Sequence, residues 1–490
     1  MLPNTDSEHL FDDFLVVGLS SIDDEGVSSQ LITSPKGPHG RLVVQKLYHL
    51  QNEHDTSHLI EFCFPEQDDL TSPSESFIFT LTKDDSTRVF GFCRRLVPVA
   101  ATNGGIWRLP ICLCVLSQRP WFSLYTRVLD IVEKNYDPVR FVPSFVRAAY
   151  EAQMPSPRWR ETIRVEPLVG GRSFYGSFEL SPPDEESRPT GVQFGTLLES
   201  LGAPNTLRVL AALMTEQKVV FVGSRWGHVS GCAHAASELL YPLQWQHIFV
   251  PVLPKSKLSY ACAPMPFVLG IAQRNLAALQ QEPIDNLLFV DVDNGRLWGD
   301  AEVMEAAVMP SPYREYLHER LSRLLRAKVT QKATWAGRGD AAVAEAVVMC
   351  MARLLGPYRK FVAPRAAAAS QEEHPIHDDF DEAGFVADAP PSAQGFLRAM
   401  RTAQLFEVWR CRVQPFTLAP RSEMMNFPGL AVLYLITTTE LKHTRKLSLW
   451  PGLRPPPHRD ERGGARILCL RAARRRPTQG GPTFHAGGRW

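Results

Sequence analysis

The sequence lacks an excess of charge of either sign. It has 53 lysines and arginines and 52 aspartates and glutamates, which give a net charge of +1. Proteins that bind nucleic acid through bulk charge need a positive excess, because phosphate neutralisation supplies much of that affinity. Long hydrophobic runs are also missing. The longest ones, such as residues 111–116 and 219–222, are far shorter than the roughly 18 residues of a membrane span. We therefore expect no nucleic acid partner and no membrane-spanning segment.

Cysteine is sparse, with nine residues in 490, an odd number without any C-x-x-C spacing. The polar, acidic start of the chain is unlike a signal peptide. Both features predict reduced thiols in a cytoplasmic protein. Cys112 and Cys114 lie within an apolar run, where packing in the core is favoured over metal binding.

The sequence motifs of common catalytic sites are absent too. No phosphate-binding G-x-x-x-x-G-K-[ST] or G-x-G-x-x-G occurs, and no G-x-S-x-G nucleophile elbow. Ser224 follows a predicted strand as a hydrolase serine would, but it lacks the second glycine of that turn. His228, Cys232 and His234 form a poor ligand set, because their spacings place His234 off the helix face that the other two share. We predict no conventional active site, no cofactor and no metal.

The pattern of residues 10–168 predicts an antiparallel sheet covered by helices. Residues 14–19 are a buried strand, and alternating side chains at 77–81 and 90–94 indicate a hairpin. A fully apolar strand at 111–116 precedes Ser117, which we expect to cap a helix with a stripe of apolar residues. The stripe comprises Trp121, Tyr125, Val128, Leu129 and Val132. This order favours a small α+β domain.

The remainder divides by composition. Residues 169–190 contain a Pro- and acid-rich stretch that predicts a linker. In residues 191–330 apolar strands alternate with helical stripes, which is typical of a doubly wound, mostly parallel α/β domain. Residues 331–445 are predicted to be helical, with an acidic loop at 371–382. The Arg-, Pro- and Gly-rich residues 446–490 are predicted to be disordered.

Prolines and aromatic residues follow one another in a fixed order in residues 239–270. Each proline fixes its own φ and ends the element before it. The residues of this pattern are Tyr241, Pro242, Trp245, His247, Pro251, Pro254, Pro264 and Pro266.

This order resembles the phrase LLYPxxWQHxxxPxLP…APMPFxxG of the DENN domain family. The resemblance implies a structural role, in the core or at corners, for these eight residues. Two further stretches agree with it: residues 62–65 match the family's FCFP, and residues 290–295 match VDxDxG. The resemblance covers residues 10–439 and implies three parts. These are a longin-like upstream DENN domain, an α/β DENN core and a helical downstream segment.

DENN proteins are typically guanine-nucleotide exchange factors for Rab-type small GTPases in membrane trafficking. The resemblance implies that activity, without a cofactor, in a cytoplasmic protein recruited to vesicle or endosomal membranes. The basic tail could add a contact with anionic membranes. Two alternatives stay open, a non-catalytic DENN-fold scaffold and a GTPase-activating relative with Arg119 as its arginine finger.

Polar residues at strand ends and helix starts are the predicted contacts with the GTPase, because the loops after parallel strands form the working edge of an α/β sheet. In the α/β domain they are Asn205, Thr206, Ser224 and Arg225. In the upstream domain they are Arg94, Arg95 and Arg119. The stretch at residues 204–207 departs from the ENIL-like helix start of the family, which favours the scaffold alternative.

Overall fold

The computed structural model describes most of the chain up to residue 417. The described residues are 9–22, 28–29, 31–32, 41–51, 57–66, 73–83, 87–97, 107–152, 162–183, 191–330, 338–362 and 380–417. They lie in one compact unit, residues 1–446. The predicted disordered tail at 446–490 and most of the predicted acidic loop at 371–382 fall outside the described residues.

An antiparallel sheet forms the first lobe, and its long strands have the spatial order β2–β1–β5–β4–β3. The strands are β1 (Asp13–Ile22), β2 (Arg41–His49), β3 (Glu75–Thr82), β4 (Arg88–Leu96) and β5 (Ile111–Ser117). Central β5 is buried at all of its residues, as its apolar run predicts. The expected hairpin is β3–β4, so the longin-like fold predicted for this lobe is confirmed. Short strands at Ser28–Ser29, Leu31–Ile32 and Trp107–Arg108 pair at its margins.

Three helices belong to this lobe: α1 (Ser57–Cys63), α2 (Phe122–Lys134) and α3 (Phe141–Tyr150). The predicted cap by Ser117 is wrong, because α2 begins five residues later and has no side-chain cap. Ser117 instead ends β5, where its Oγ accepts from the Arg119 backbone at 3.1 Å and lies 2.8 Å from the Tyr125 hydroxyl. Most of the predicted stripe of α2 is buried as expected.

The segment between the lobes carries two small hairpins. Ile163–Val165 pairs with Phe178–Leu180, and Leu168–Val169 pairs with Arg172–Ser173. Gly170 and Gly171 turn the second hairpin with φ of +59° and +75°, values that glycine adopts without strain. The first half of the predicted linker therefore has local structure.

The second lobe is built on a mixed sheet with the order β7–β8–β6–β9–β10, in which only the edge strand β10 is antiparallel. Its strands are β6 (Lys218–Gly223), β7 (Ile248–Val250), β8 (Phe267–Ala272), β9 (Leu287–Asp291) and β10 (Arg296–Gly299). The continuous apolar sequences of β6 and β8 fit strands that are covered on both faces. The predicted mostly parallel α/β class is confirmed.

Helices surround this sheet and continue beyond it. They are α4 (Phe194–Met214), α5 (Trp226–Leu239), α6 (Leu276–Leu279), α7 (Ala301–Ala306), α8 (Tyr313–Thr330), α9 (Arg338–Leu355), α10 (Glu382–Ala387), α11 (Pro391–Arg401) and α12 (Gln404–Thr417), with 3₁₀ turns at Lys255–Cys262, Gln273–Asn275 and Gly356–Phe361. Helix α4 kinks at Gly202, where φ is +68°, so Pro204 begins its second half.

One helical stretch, Gly339–Tyr358, is long and apolar enough to cross a membrane, contrary to the expectation from the longest apolar runs. It consists mainly of α9, which packs against α8 and α4. Its buried residues include Val343, Val347 and Met351. Packing within the protein therefore accounts for this apolar composition.

The two lobes share one hydrophobic cluster, which joins Phe62 and Phe79 of the first lobe to Val220 and Phe267 of the second. Helix α5 lies against β3 so closely that a Cβ on Gly227 would come within 2.3 Å of a β3 carbonyl oxygen. The lobes therefore pack directly against each other at α5.

Candidate partner-binding site

The carboxyl ends of β6 and β9 meet at one edge of the second sheet, because the two strands are parallel neighbours. Strand β6 leads into Ser224 and Arg225, whose side chains are exposed. The turn after β9 carries Asp293, which accepts a hydrogen bond from the Ser224 backbone N–H at 2.6 Å. This bond ties the two loops to each other. We call the surface formed by the exposed residues Ser224, Arg225, Asp293 and Arg296, together with half-buried Asn205, the carboxyl edge.

A relay of side chains supports the carboxyl edge. His228 Nδ1 lies 3.2 Å from Asp293 Oδ1, and His228 Nε2 lies 2.6 Å from Ser200 Oγ. Burial alone raises the pKa of Asp293, but hydrogen bonds from Ser224 and His228 outweigh it and hold the pKa below its usual value. Asp293 is therefore an anion that fixes His228 and the loop after β6.

This Ser–His–Asp order is that of a nucleophilic triad, yet its setting does not favour catalysis. Ser200 lies inside α4, and its hydroxyl also has the Thr196 carbonyl within 2.9 Å. The Ser224 N–H, which could stabilise an oxyanion, already donates to Asp293. We interpret the relay as a brace between α4, α5 and the turn after β9.

The turn itself is rigid. Asp291 accepts bonds from the backbone N–H groups of Asp293 at 3.0 Å and Asn294 at 2.9 Å. Gly295 has φ of +65°, and a Cβ there would come within 2.4 Å of the Ser200 carbonyl oxygen. The Asn205 side chain donates to the Gly295 carbonyl at 2.8 Å. The kink of α4 is thus fastened to the turn, beside an open groove of about 740 Å³.

Three of the predicted contact residues, Asn205, Ser224 and Arg225, come together at the carboxyl edge. Thr206 does not, since it is 2% exposed and donates to the Gly202 carbonyl at 2.7 Å. The sequence pattern did not single out the supporting residues Ser200 and Asp293. For Asp293, its place in the VDxDxG phrase was an available signal.

The three arginines proposed in the first lobe are all engaged within the protein. Arg94 forms ion pairs with Asp130 and Glu133 of α2. Arg95 is 5% exposed, with its guanidinium 5.8 Å from the Phe64 ring centre. Arg119 donates to the His9 carbonyl at 2.7 Å and stacks on Trp121 at 4.9 Å. We no longer expect Arg95 or Thr206 to contact a partner, and Arg119 is held against its own lobe.

Most of the motif residues in 239–270 are buried or half-buried in the second lobe. Trp245 is 2% exposed, and Pro251 and Pro254 are buried. Tyr241, Pro242, His247 and Pro266 are half-buried, whereas Pro264 is exposed next to Met265.

Comparison with known proteins agrees with this architecture. The uDENN domain model matches residues 45–96, and the DENN (AEX-3) domain model matches residues 108–295. DENN domain-containing protein 2C of Mus musculus is 36% identical over 297 residues, which are 58% of this chain and 30% of that protein. DENN domain-containing protein 2D of Homo sapiens is 32% identical over 305 residues, 60% of this chain and 62% of that protein.

The chain thus carries a uDENN domain followed by a DENN domain. Among the relatives found are DENN domain-containing proteins 2A, 2B, 2C and 2D. The matched region spans less than a third of the length of DENN domain-containing protein 2C of Mus musculus.

Proposed function

We propose that this protein is a guanine-nucleotide exchange factor for a Rab-type small GTPase in membrane trafficking. The uDENN and DENN domains support the proposal, and so does the carboxyl edge, whose loops are held by hydrogen bonds. Exchange requires no bond chemistry, only tighter binding of the nucleotide-free GTPase than of its GDP form. Moving such an equilibrium from 1:99 to 99:1 takes about 5.5 kcal/mol of differential binding.

The position of the carboxyl edge is the observation that carries the proposal. Two residues after Arg225, the backbone N–H of Gly227 donates to Glu75 of β3 at 3.0 Å. A partner that covers Arg225 is therefore adjacent to the first lobe as well. Because the hydrogen bonds of Asp293 hold the loop after β6, its exposed residues can bind with little loss of conformational freedom.

The test is release of fluorescent GDP from a panel of purified Rab GTPases, with the full chain as catalyst. We expect acceleration of one or two members. Arg225→Glu should reduce that acceleration about tenfold, which corresponds to about 1.4 kcal/mol. Arg323→Glu is the matched control, since Arg323 is 65% exposed on α8 and pairs with the exposed Glu319.

Other outcomes separate the alternatives. Binding of a GTPase without faster GDP release would favour the non-catalytic scaffold. Faster GTP hydrolysis, lost in Arg119→Ala, would favour a GTPase-activating protein. If Arg225→Glu and Arg323→Glu accelerate GDP release equally, the protein is an exchange factor but the carboxyl edge is not its binding site. Recruitment from the cytoplasm to vesicle or endosomal membranes is part of the same proposal.

A further inference from the structure

Four cysteine thiols converge inside the first lobe. Cys63 ends α1, Cys93 lies in β4, and Cys112 and Cys114 lie on one face of β5 because they are two residues apart. In the sheet Cys93 is directly opposite Cys114. All four are at most 1% exposed.

Three of the four sulfur atoms are close enough to bind one metal ion. The Sγ atoms of Cys63, Cys93 and Cys112 all lie within 4.8 Å of one another. In a tetrahedral zinc site with Zn–S bonds of about 2.3 Å, neighbouring sulfurs are about 3.8 Å apart. The thiols therefore need to move by only about 1 Å or less to reach this geometry.

A buried cation lies beside the thiols. Arg95, itself buried, lies opposite Cys112 in the sheet. Four thiolates with Zn²⁺ carry two negative charges, and the neighbouring guanidinium offsets one of them.

We propose that Cys63, Cys93 and Cys112 bind one zinc ion as thiolates, with Cys114 as the fourth ligand. Each coordinating thiol releases its proton to solvent when the ion binds. Thiolate sulfur selects zinc over the hard cations. Since the site is closed and buried, the ion is structural and enters as the lobe folds, so that it joins α1 to β4 and β5.

The first measurement is the zinc content of the full chain, purified without a polyhistidine tag and analysed by inductively coupled plasma mass spectrometry. We expect about one zinc per chain. Cys93→Ala and Cys112→Ala should fall below about a tenth of that content. Cys262→Ala and Cys411→Ala, which change exposed cysteines, should retain it. Folded wild-type protein without zinc would overturn the proposal.

A second measurement uses the wild-type chain alone, in case the alanine variants do not fold. Protein refolded with Co²⁺ should show the near-ultraviolet charge-transfer band of thiolate-bound cobalt. Refolding with a strong chelator should lower the melting temperature, and zinc but not magnesium should restore it. No cobalt band, together with an identical melting temperature with and without chelator, would show that the four thiols only fill the core.

Discussion

At the scale of single residues, Trp245 shows how one side chain fixes a corner of the second lobe. It is 2% exposed, and its indole N–H donates to the Ile248 carbonyl at 3.0 Å. Its own carbonyl accepts a bond from Arg88 of the first lobe. The expected position of Trp245 in the core is therefore confirmed, and the same residue contacts both lobes.

Truncation of Trp245 should be costly. We expect Trp245→Ala to lower the free energy of unfolding by about 3–5 kcal/mol, because it leaves a large cavity and an unpaired carbonyl. Trp245→Phe keeps most of the volume and should lose clearly less. Denaturant unfolding of both variants measures the difference. Equal stability of Trp245→Ala and wild type would contradict the proposed role of this corner.

At the scale of elements, Glu216 holds the last described helix. It lies just after α4 with φ of +51°, a left-handed conformation that is uncommon for a side chain other than glycine. Its carboxylate accepts bonds from the first backbone N–H groups of α12, at Gln404 and Leu405, at 2.9 and 2.8 Å. His247 Nε2 lies 3.0 Å from the same carboxylate. An anion at a helix N-terminus is favourable there for the helix dipole as well.

Removal of this anchor should loosen α12 without unfolding the lobes. We expect Glu216→Ala to speed amide hydrogen exchange in the first turns of α12 about fivefold, the effect of losing about 1 kcal/mol of capping. Glu319→Gln, which changes an exposed glutamate of α8, is the control. If exchange in α12 stays at the wild-type rate in both variants, other contacts hold the helix.

Elements were predictable where the signal is local. The apolar run of β6 and the alternation in β3 and β4 gave the correct strands, because burial on two faces or one face leaves a pattern in neighbouring residues. The start of α2 was wrong since Ser117 has a partner, Tyr125, that replaces the expected cap. The sequence pattern of a serine before an apolar stripe does not reveal whether the hydroxyl caps the helix or bonds to a side chain such as Tyr125.

At the scale of the whole molecule, contacts between residues distant in sequence determine how the lobes pack and how the carboxyl edge forms. The sequence pattern does not predict these contacts. The Ile78 backbone N–H donates to Ser230 Oγ at 3.2 Å, across 152 residues. Asn205 and Gly295 meet at the carboxyl edge across 90 residues. Alternation and composition give the class of each lobe, but not which helix face the other lobe covers. Nor does alternation show that Phe64, distant in sequence, packs against Arg95, which read as a surface residue although it is buried.

His234 lies where the lobes meet and should make their association sensitive to acid. It is 3% exposed on α5, and its ring packs 5.3 Å from Phe122 of the first lobe and 5.1 Å from Phe249 of the second. Burial, with a smaller effect from nearby Arg88, lowers the pKa of His234 to about 3, despite a hydrogen bond at Ile78 that raises it. The imidazole is thus neutral in the folded protein at neutral pH.

The consequence for stability follows from linkage. Between the unfolded pKa of about 6.5 and the folded pKa, only the unfolded chain binds the proton, so acid favours unfolding. From about pH 7 to about pH 5 this group should remove about 2 kcal/mol from the free energy of unfolding. In His234→Gln the free energy of unfolding should fall by about 2 kcal/mol less over the same pH interval. His318→Gln, which changes an exposed position of α8, should show the pH dependence of the wild type. Denaturant unfolding at both pH values measures these differences. Identical pH dependence in all three proteins would mean that His234 reaches solvent, and that the lobes are less closely packed at α5 than the structure shows.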